Sequence, residues 1–155
     1  MNEELSDAIV ESVHDIFHGF LALEVFPGVQ IAEACQEDTQ KTATVVSFNG
    51  VLRGAVILHA SVSTAVLLAE ALAGTQFHSL SENAREMLGE LTDLIAGGMR
   101  TRLSAHGEIR LTPPIVVIGT QYHLNNASIF SQERQFFQVN GGTFCVECFY
   151  IKDSS

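Results

Sequence analysis

Residues 79–103 read SLSENAREMLGELTDLIAGGMRTRL, and this stretch decides how the rest of the chain is organised. At about 100° per residue, Ala84, Met87, Leu88, Leu91, Leu94 and Ile95 collect on one side of a helix. Glu82, Glu86, Glu90 and Asp93 collect on the other side at spacings of four, four and three, and Gly97 continues their stripe. Like charges at i,i+4 each cost a helix roughly 0.2–0.5 kcal/mol. The pattern works mildly against its own helix. Either it is a solvated acidic face with two packing glycines, or it is built to meet a cation.

The expected boundaries are local. Ser79 followed by Glu82 fits a capping box, in which each side chain satisfies the other's backbone N–H. Arg100 and Arg102 complement the negative pole at the far end. The Gly97-Gly98 pair weakens the helix, since each glycine costs about 1 kcal/mol relative to alanine. Glycines kept inside a helix often mark a close approach.

Outward from that helix the pattern is mixed. Residues 5–21 form an amphipathic helix with Leu5, Ile9, Val13, Ile16, Phe17 and Phe20 on one face. Phe26-Pro27-Gly28 breaks the chain before a short extended piece. Residues 42–48 and 51–58 flank Asn49-Gly50, a hairpin signal because both residues tolerate positive φ. Residues 63–73 form a helix stopped by Gly74. An extended run at 115–118, a polar loop at 122–126 and a final hairpin follow; its strands, 134–139 and 143–151, are joined by Asn140-Gly141-Gly142. Helix, hairpin, two helices and then strands is an α+β order, not a regular βαβ alternation. No repeat or low-complexity segment is visible.

At 155 residues the chain has the size of a single domain with a substantial core, with residues 152–155 expected to be disordered. The net charge of −10 argues against nucleic acid or an anionic membrane as partner. The most apolar stretch, 51–73, contains Arg53, His59 and Glu70 and divides into a strand and a helix, so no membrane insertion is expected. The acidic start MNEELSD is unlike a secretory signal. Cys35, Cys145 and Cys148 suit free thiols in a reducing compartment. A cytoplasmic location is expected.

Few other residues offer chemistry. Cys145-Val-Glu-Cys148 has C-x-x-C spacing, but on a strand its two thiols point to opposite faces. Buried structural thiols are the better reading. His14 and His18 could hold half a metal site beside Glu11, yet no converging ligands are identifiable. His59, His78, His106 and His123 are scattered, without recognisable partners. No nucleophile elbow, P-loop or dinucleotide fingerprint occurs, so no metal and no cofactor of the protein's own is expected. A bare carboxylate pair could do acid–base work, but an exposed stripe with a glycine step is better shaped for docking on a protein.

The segment GELTDLIAGGMRTRL resembles the signature helix of the CheX/CheC/FliY family of chemotaxis phosphatases, Glu-x-x-Asn followed by a hydrophobic pair and a glycine. Glu90, Leu94, Ile95 and Gly97 match it, and Asp93 stands at the asparagine position. DAIVESVHDIFHGFLALEVFPG resembles the family's first helix and the loop after it, FNGVLRGAVIL its first hairpin, and LTPPIVVIGT the strand after the signature helix. The single motif copy is more similar to the CheX branch than to the two-site CheC branch.

The resemblance implies one CheX-like α+β domain over residues 1–155, with helices packed on a mostly antiparallel sheet. It implies a homodimer formed through sheet edges, and a phosphatase acting on the aspartyl phosphate of a CheY-type response regulator in chemotaxis signalling. In the family the glutamate engages a lysine of the receiver and the asparagine orients the attacking water, beside a divalent metal that the receiver binds. Carried over, Glu90 is the lysine contact and Asp93 sits over the phosphoryl group, with Glu82, Glu86 and Gly97 contacting the partner. An ionised aspartate only accepts hydrogen bonds, whereas an amide also donates. The alternatives are a receiver-binding module without catalysis, as a degenerate phosphatase or a subunit of a signalling or motility assembly, and an acidic domain with an unrelated partner.

Overall fold

A computed structural model describes residues 2–21, 23–28, 40–119 and 131–152. Cys35, the expected polar loop at 122–126 with His123, and residues 153–155 lie outside the described residues. Helix α1 spans Asn2–Ile16, α2 Val62–Ala73 and α3 Glu82–Arg102. The strands are β1 (Val25–Pro27), β2 (Lys41–Gly50), β3 (Leu52–Ser61), β4 (Ile109–Leu111), β5 (Ile115–Gly119), β6 (Ser131–Val139) and β7 (Gly142–Lys152). Among the described residues they form one seven-stranded antiparallel sheet in the order β1-β6-β7-β3-β2-β4, with β5 also on β2. This is the expected α+β domain.

The helices cover one sheet face, and period-2 alternation supplies that face from each strand. Val46, Leu58, Val146, Phe144 and Phe137 meet Leu5, Ile9, Val13, Leu68, Leu88, Leu91 and Ile95 in a continuous core. Phe144 stacks between Phe17 and Phe137, with centroids 5.3 and 5.2 Å away, which locks the end of α1 onto the β6–β7 hairpin. The opposite face carries a smaller cluster of Ala43, Ile57 and Phe149.

Two local expectations are corrected. Phe20 is 60% exposed, and Leu21 is buried instead. The chain widens into a π-helical turn over Phe17–Leu21, and the smaller rotation per residue carries Phe20 off the buried face while keeping Leu21 in line with Phe17. Asn49-Gly50 does not make the first hairpin's turn. The register Phe48↔Gly54 centres that turn on Val51, while Asn49 and Gly50 pair with Arg110 and Ile109 of β4. Gly50 adopts φ +147°, and a Cβ there would lie 2.1 Å from the Glu108 carbonyl oxygen. The second hairpin does turn on Asn140-Gly141, with Val139 opposite Gly142.

Candidate functional site

Helix α3 lies between its neighbours, packing on α2 along one flank and α1 along the other. Its N-cap is Ser81, whose Oγ accepts from the Ala84 N–H at 3.3 Å. The expected Ser79–Glu82 box does not form. Leu80 is buried ahead of the cap and its carbonyl accepts from Arg85 Nε at 3.0 Å, so the chain enters the helix two residues later. At the other end Arg102 pairs with Glu11 and Asp15 of α1. Ser12 Oγ donates to the Ile95 carbonyl at 2.7 Å.

The amphipathic division is as expected in outline. Ala84, Leu88, Leu91 and Ile95 are buried, and Met87 and Leu94 are half-buried. Glu82, Glu86, Glu90 and Asp93 are exposed together on the outer face. No hydrogen bond or ion pair within the described residues engages their side chains. When ionised, these four side chains offer only acceptors, to a cation or to a water whose protons need direction.

The glycines of α3 differ sharply in surroundings. A Cβ on Gly98 would fall 2.2 Å from Ser12 Oγ, so that glycine is required by the α1–α3 contact. A Cβ on Gly89 would lie 3.0 Å from Pro114 Cγ. A Cβ on Gly97 would meet nothing within 4 Å. The fold has no packing use for Gly97, which sits at the end of the acidic stripe.

An open acidic hollow of about 450 Å³ is lined by Glu3, Glu4, Asp7, Glu11 and Arg102. His14 and His18 are both exposed, and among the described residues no group of three or more His, Cys, Asp or Glu side chains is placed to hold a metal ion.

Sequence reasoning missed a buried ionic cluster on the sheet face away from the helices. Glu147, only 1% exposed, accepts at Oε1 from His59 Nε2 (2.8 Å) and at Oε2 from Arg134 Nε (2.7 Å) and Gln132. Burial acts to raise its pKa, but the hydrogen bonds from His59 and Arg134 outweigh that and hold the carboxyl below the usual range. His59 thus has a partner, as does His106, whose Nε2 lies 2.7 Å from Glu4. The missed signal was a lone charge in the apolar run TFCVECFYI. Cys145 and Cys148 are free, buried and on opposite faces, and burial pushes both thiols up to about 12. Neither is a nucleophile at neutral pH.

Comparison with known proteins bears on both fold and family. A curated relative from Thermotoga maritima, "CheY-P phosphatase CheX", is 27% identical over 143 residues, covering 86% of this chain and 92% of the relative. The crystal structure of chemotaxis protein CheX from Vibrio vulnificus superposes with a TM-score of 0.78 at 19% identity, over 95% of this chain and 99% of that one. A CheX from Borrelia burgdorferi, solved as a CheX–CheY–BeF3–Mg complex, gives 0.65 at 21% identity over 96% of each chain. The family model for chemotaxis phosphatase CheX matches residues 42–138, a span that includes all of α3. The chain belongs to the CheX family of chemotaxis phosphatases.

Proposed function

We propose that this protein docks the outer face of α3 on a phosphorylated CheY-type receiver domain and accelerates hydrolysis of its aspartyl phosphate. The observation that carries the reading is the stripe of exposed carboxylates without partners among the described residues, two of which fall at the family's signature positions. The names of two relatives support it. One is called a CheY-P phosphatase, and another was crystallised with CheY and beryllofluoride, a group that stands in for phosphoryl.

Glu90 would meet the receiver's lysine, with Glu82 and Glu86 extending the negative field and Gly97 admitting the partner's surface closely. Asp93 would lie over the phosphoryl group, where its oxygens accept from the attacking water and turn a lone pair toward phosphorus. A carboxylate near an anionic phosphoryl is also repelled, by roughly 1–4 kcal/mol depending on local dielectric. That equals about one to three decades in rate. A divalent ion held by the receiver would offset part of it; the protein itself supplies no metal and no cofactor. A homodimer through sheet edges and a cytoplasmic location complete the reading.

Asp93 in place of asparagine favours a second reading, a receiver-binding module without catalysis. The lifetime of the receiver's acyl phosphate, measured with and without this protein, separates the two. Faster decay supports the phosphatase. Unchanged or slower decay with measurable binding supports the module, and no binding removes both.

A further inference from the structure

The outer edge of the sheet is bulged where it passes α3. From Phe48↔Leu111 to Val45↔Ile115, β2 advances three residues while the outer strand advances four. One extra residue is therefore accommodated within Thr112-Pro113-Pro114. Thr112 clamps the bulge to β2: its N–H donates to the Ser47 carbonyl at 2.9 Å, and its Oγ1 accepts from the Ser47 N–H at 3.1 Å. Bulges re-aim the side chains at their crest, and here the crest delivers the Pro114 ring onto α3.

The ring lands on Gly89, at the tight approach already described. Pro114 is exposed and Gly89 buried, so the ring covers the helix backbone at the surface rather than within the core. Gly89 lies four residues before Asp93 and three after Glu86, spacings that make surface neighbours on a helix. The ring thus borders the Asp93 side of the acidic stripe. Proline has a fixed φ and no N–H, so this wall is stiff and offers no donor to compete for a phosphoryl oxygen.

We propose that Pro114, held on Gly89 by the bulge, is a positioning residue of the docking surface that sets how closely the receiver's phosphoryl-bearing loop approaches Asp93. The proposal rests on the docking reading above and adds the wall against which the partner seats. Small displacements of a seated partner cost disproportionately. The glycine is therefore as much a part of the device as the ring.

A double-mutant cycle tests it, with a CheY-type receiver carrying beryllofluoride and Mg2+ as probe, titration calorimetry for affinity and thermal melting for the fold. Gly89→Ala, which forces the ring outward, should weaken binding by about tenfold, and Pro114→Ala alone by about twofold. The double variant should return to about the Pro114→Ala level, because alanine at 114 lacks the Cγ that stands 3.0 Å from the new Cβ and keeps only its own Cβ, at 3.3 Å. Wild-type affinity in Gly89→Ala, or a double variant as weak as the two effects multiplied, overturns the proposal. A shifted melting temperature with normal affinity does the same, since a packing contact alone would produce that. Glu90→Ala distinguishes the two layers. If it binds normally, the docking reading itself fails and takes this proposal with it. If it binds weakly while Gly89→Ala binds normally, only the positioning role is lost.

Discussion

The outer face of α3 and the far face of the sheet handle negative charge in opposite ways. On α3, Glu82, Glu86, Glu90 and Asp93 stand in solvent along one stripe. On the sheet, Glu147 is out of water and held by His59, Arg134 and Gln132. A charge that the fold encloses must be matched, because an unmatched one costs several kcal/mol. A charge that the fold leaves outside need not be, and the α3 stripe is mildly unfavourable to its own helix. The buried cluster is explained by folding. The stripe is not, and the docking proposed above would give it a reason.

Removing the buried charge should give the largest effect on stability. Glu147→Ala leaves His59 and Arg134 facing an empty acceptor site; those groups are 22% and 49% exposed, so water recovers part of the loss. About 2–4 kcal/mol of stability should disappear in urea unfolding. The pH dependence has a definite sign. The folded carboxyl titrates below its unfolded value, so its contribution is complete above the ordinary carboxylate range of about 4.3. It fades as pH falls through the lower folded value. Wild type should therefore lose stability more steeply on acidification than Glu147→Gln; parallel profiles would break the contrast between the two faces.

Removing an outer charge should leave the fold alone and change recognition. Truncating one side of a desolvated charge pair commonly costs about 2–5 kcal/mol, so Glu90→Ala should bind a phosphorylated receiver at least about tenfold more weakly. Its melting temperature should hold or rise slightly as an i,i+4 repulsion goes. A fall in melting temperature with unchanged affinity would place Glu90 with the structural charges.

Asp93→Asn sharpens the comparison within the stripe. If the carboxylate chiefly repels the phosphoryl group, the amide should speed acyl phosphate decay by at least about tenfold. A slower variant would show that the aspartate is the working form. A variant that binds but remains as inactive as a non-catalytic wild type would leave the catalytic reading without support.

The smallest effect separates neighbouring glycines. A Cβ at Gly97 has no described tertiary neighbour within 4 Å, so Gly97→Ala should stabilise α3 by up to about 1 kcal/mol while weakening receiver binding. Gly98→Ala should instead destabilise, because its Cβ strikes Ser12 Oγ. Equal stabilities for the two variants would remove the distinction.

Much of this architecture was legible in the chain, and the misses share one cause. The period of α3 placed its carboxylates outside correctly because helical phase depends only on local spacing. The two Asn-Gly pairs could not be told apart locally. Asn140-Gly141 makes a tight turn, while Asn49-Gly50 is drawn into pairing with β4, a segment about sixty residues away. Reading a three-residue connection in the second hairpin also shifts its register by one, which moves Glu147 from opposite Arg134 to opposite Gln135. The buried cluster was hidden by that single residue. The positions of Ser81 and Phe20 likewise depended on the burial of Leu80 and the π-helical turn, both tertiary effects.

The bulge at Thr112-Pro113-Pro114 also has a colloidal consequence. Ile115 and Val117 on β5 are 64% and 45% exposed, on a strand that pairs only with β2 among the described residues. An uninterrupted strand over 109–119 would present a long apolar edge, the kind of template on which further chains add. The prolines divide it into pieces of three and five residues and, having no N–H, interrupt its donor pattern. Strand addition there is limited to a short, finite match, so the same kink that presses on α3 also acts as a guard against open-ended polymerisation.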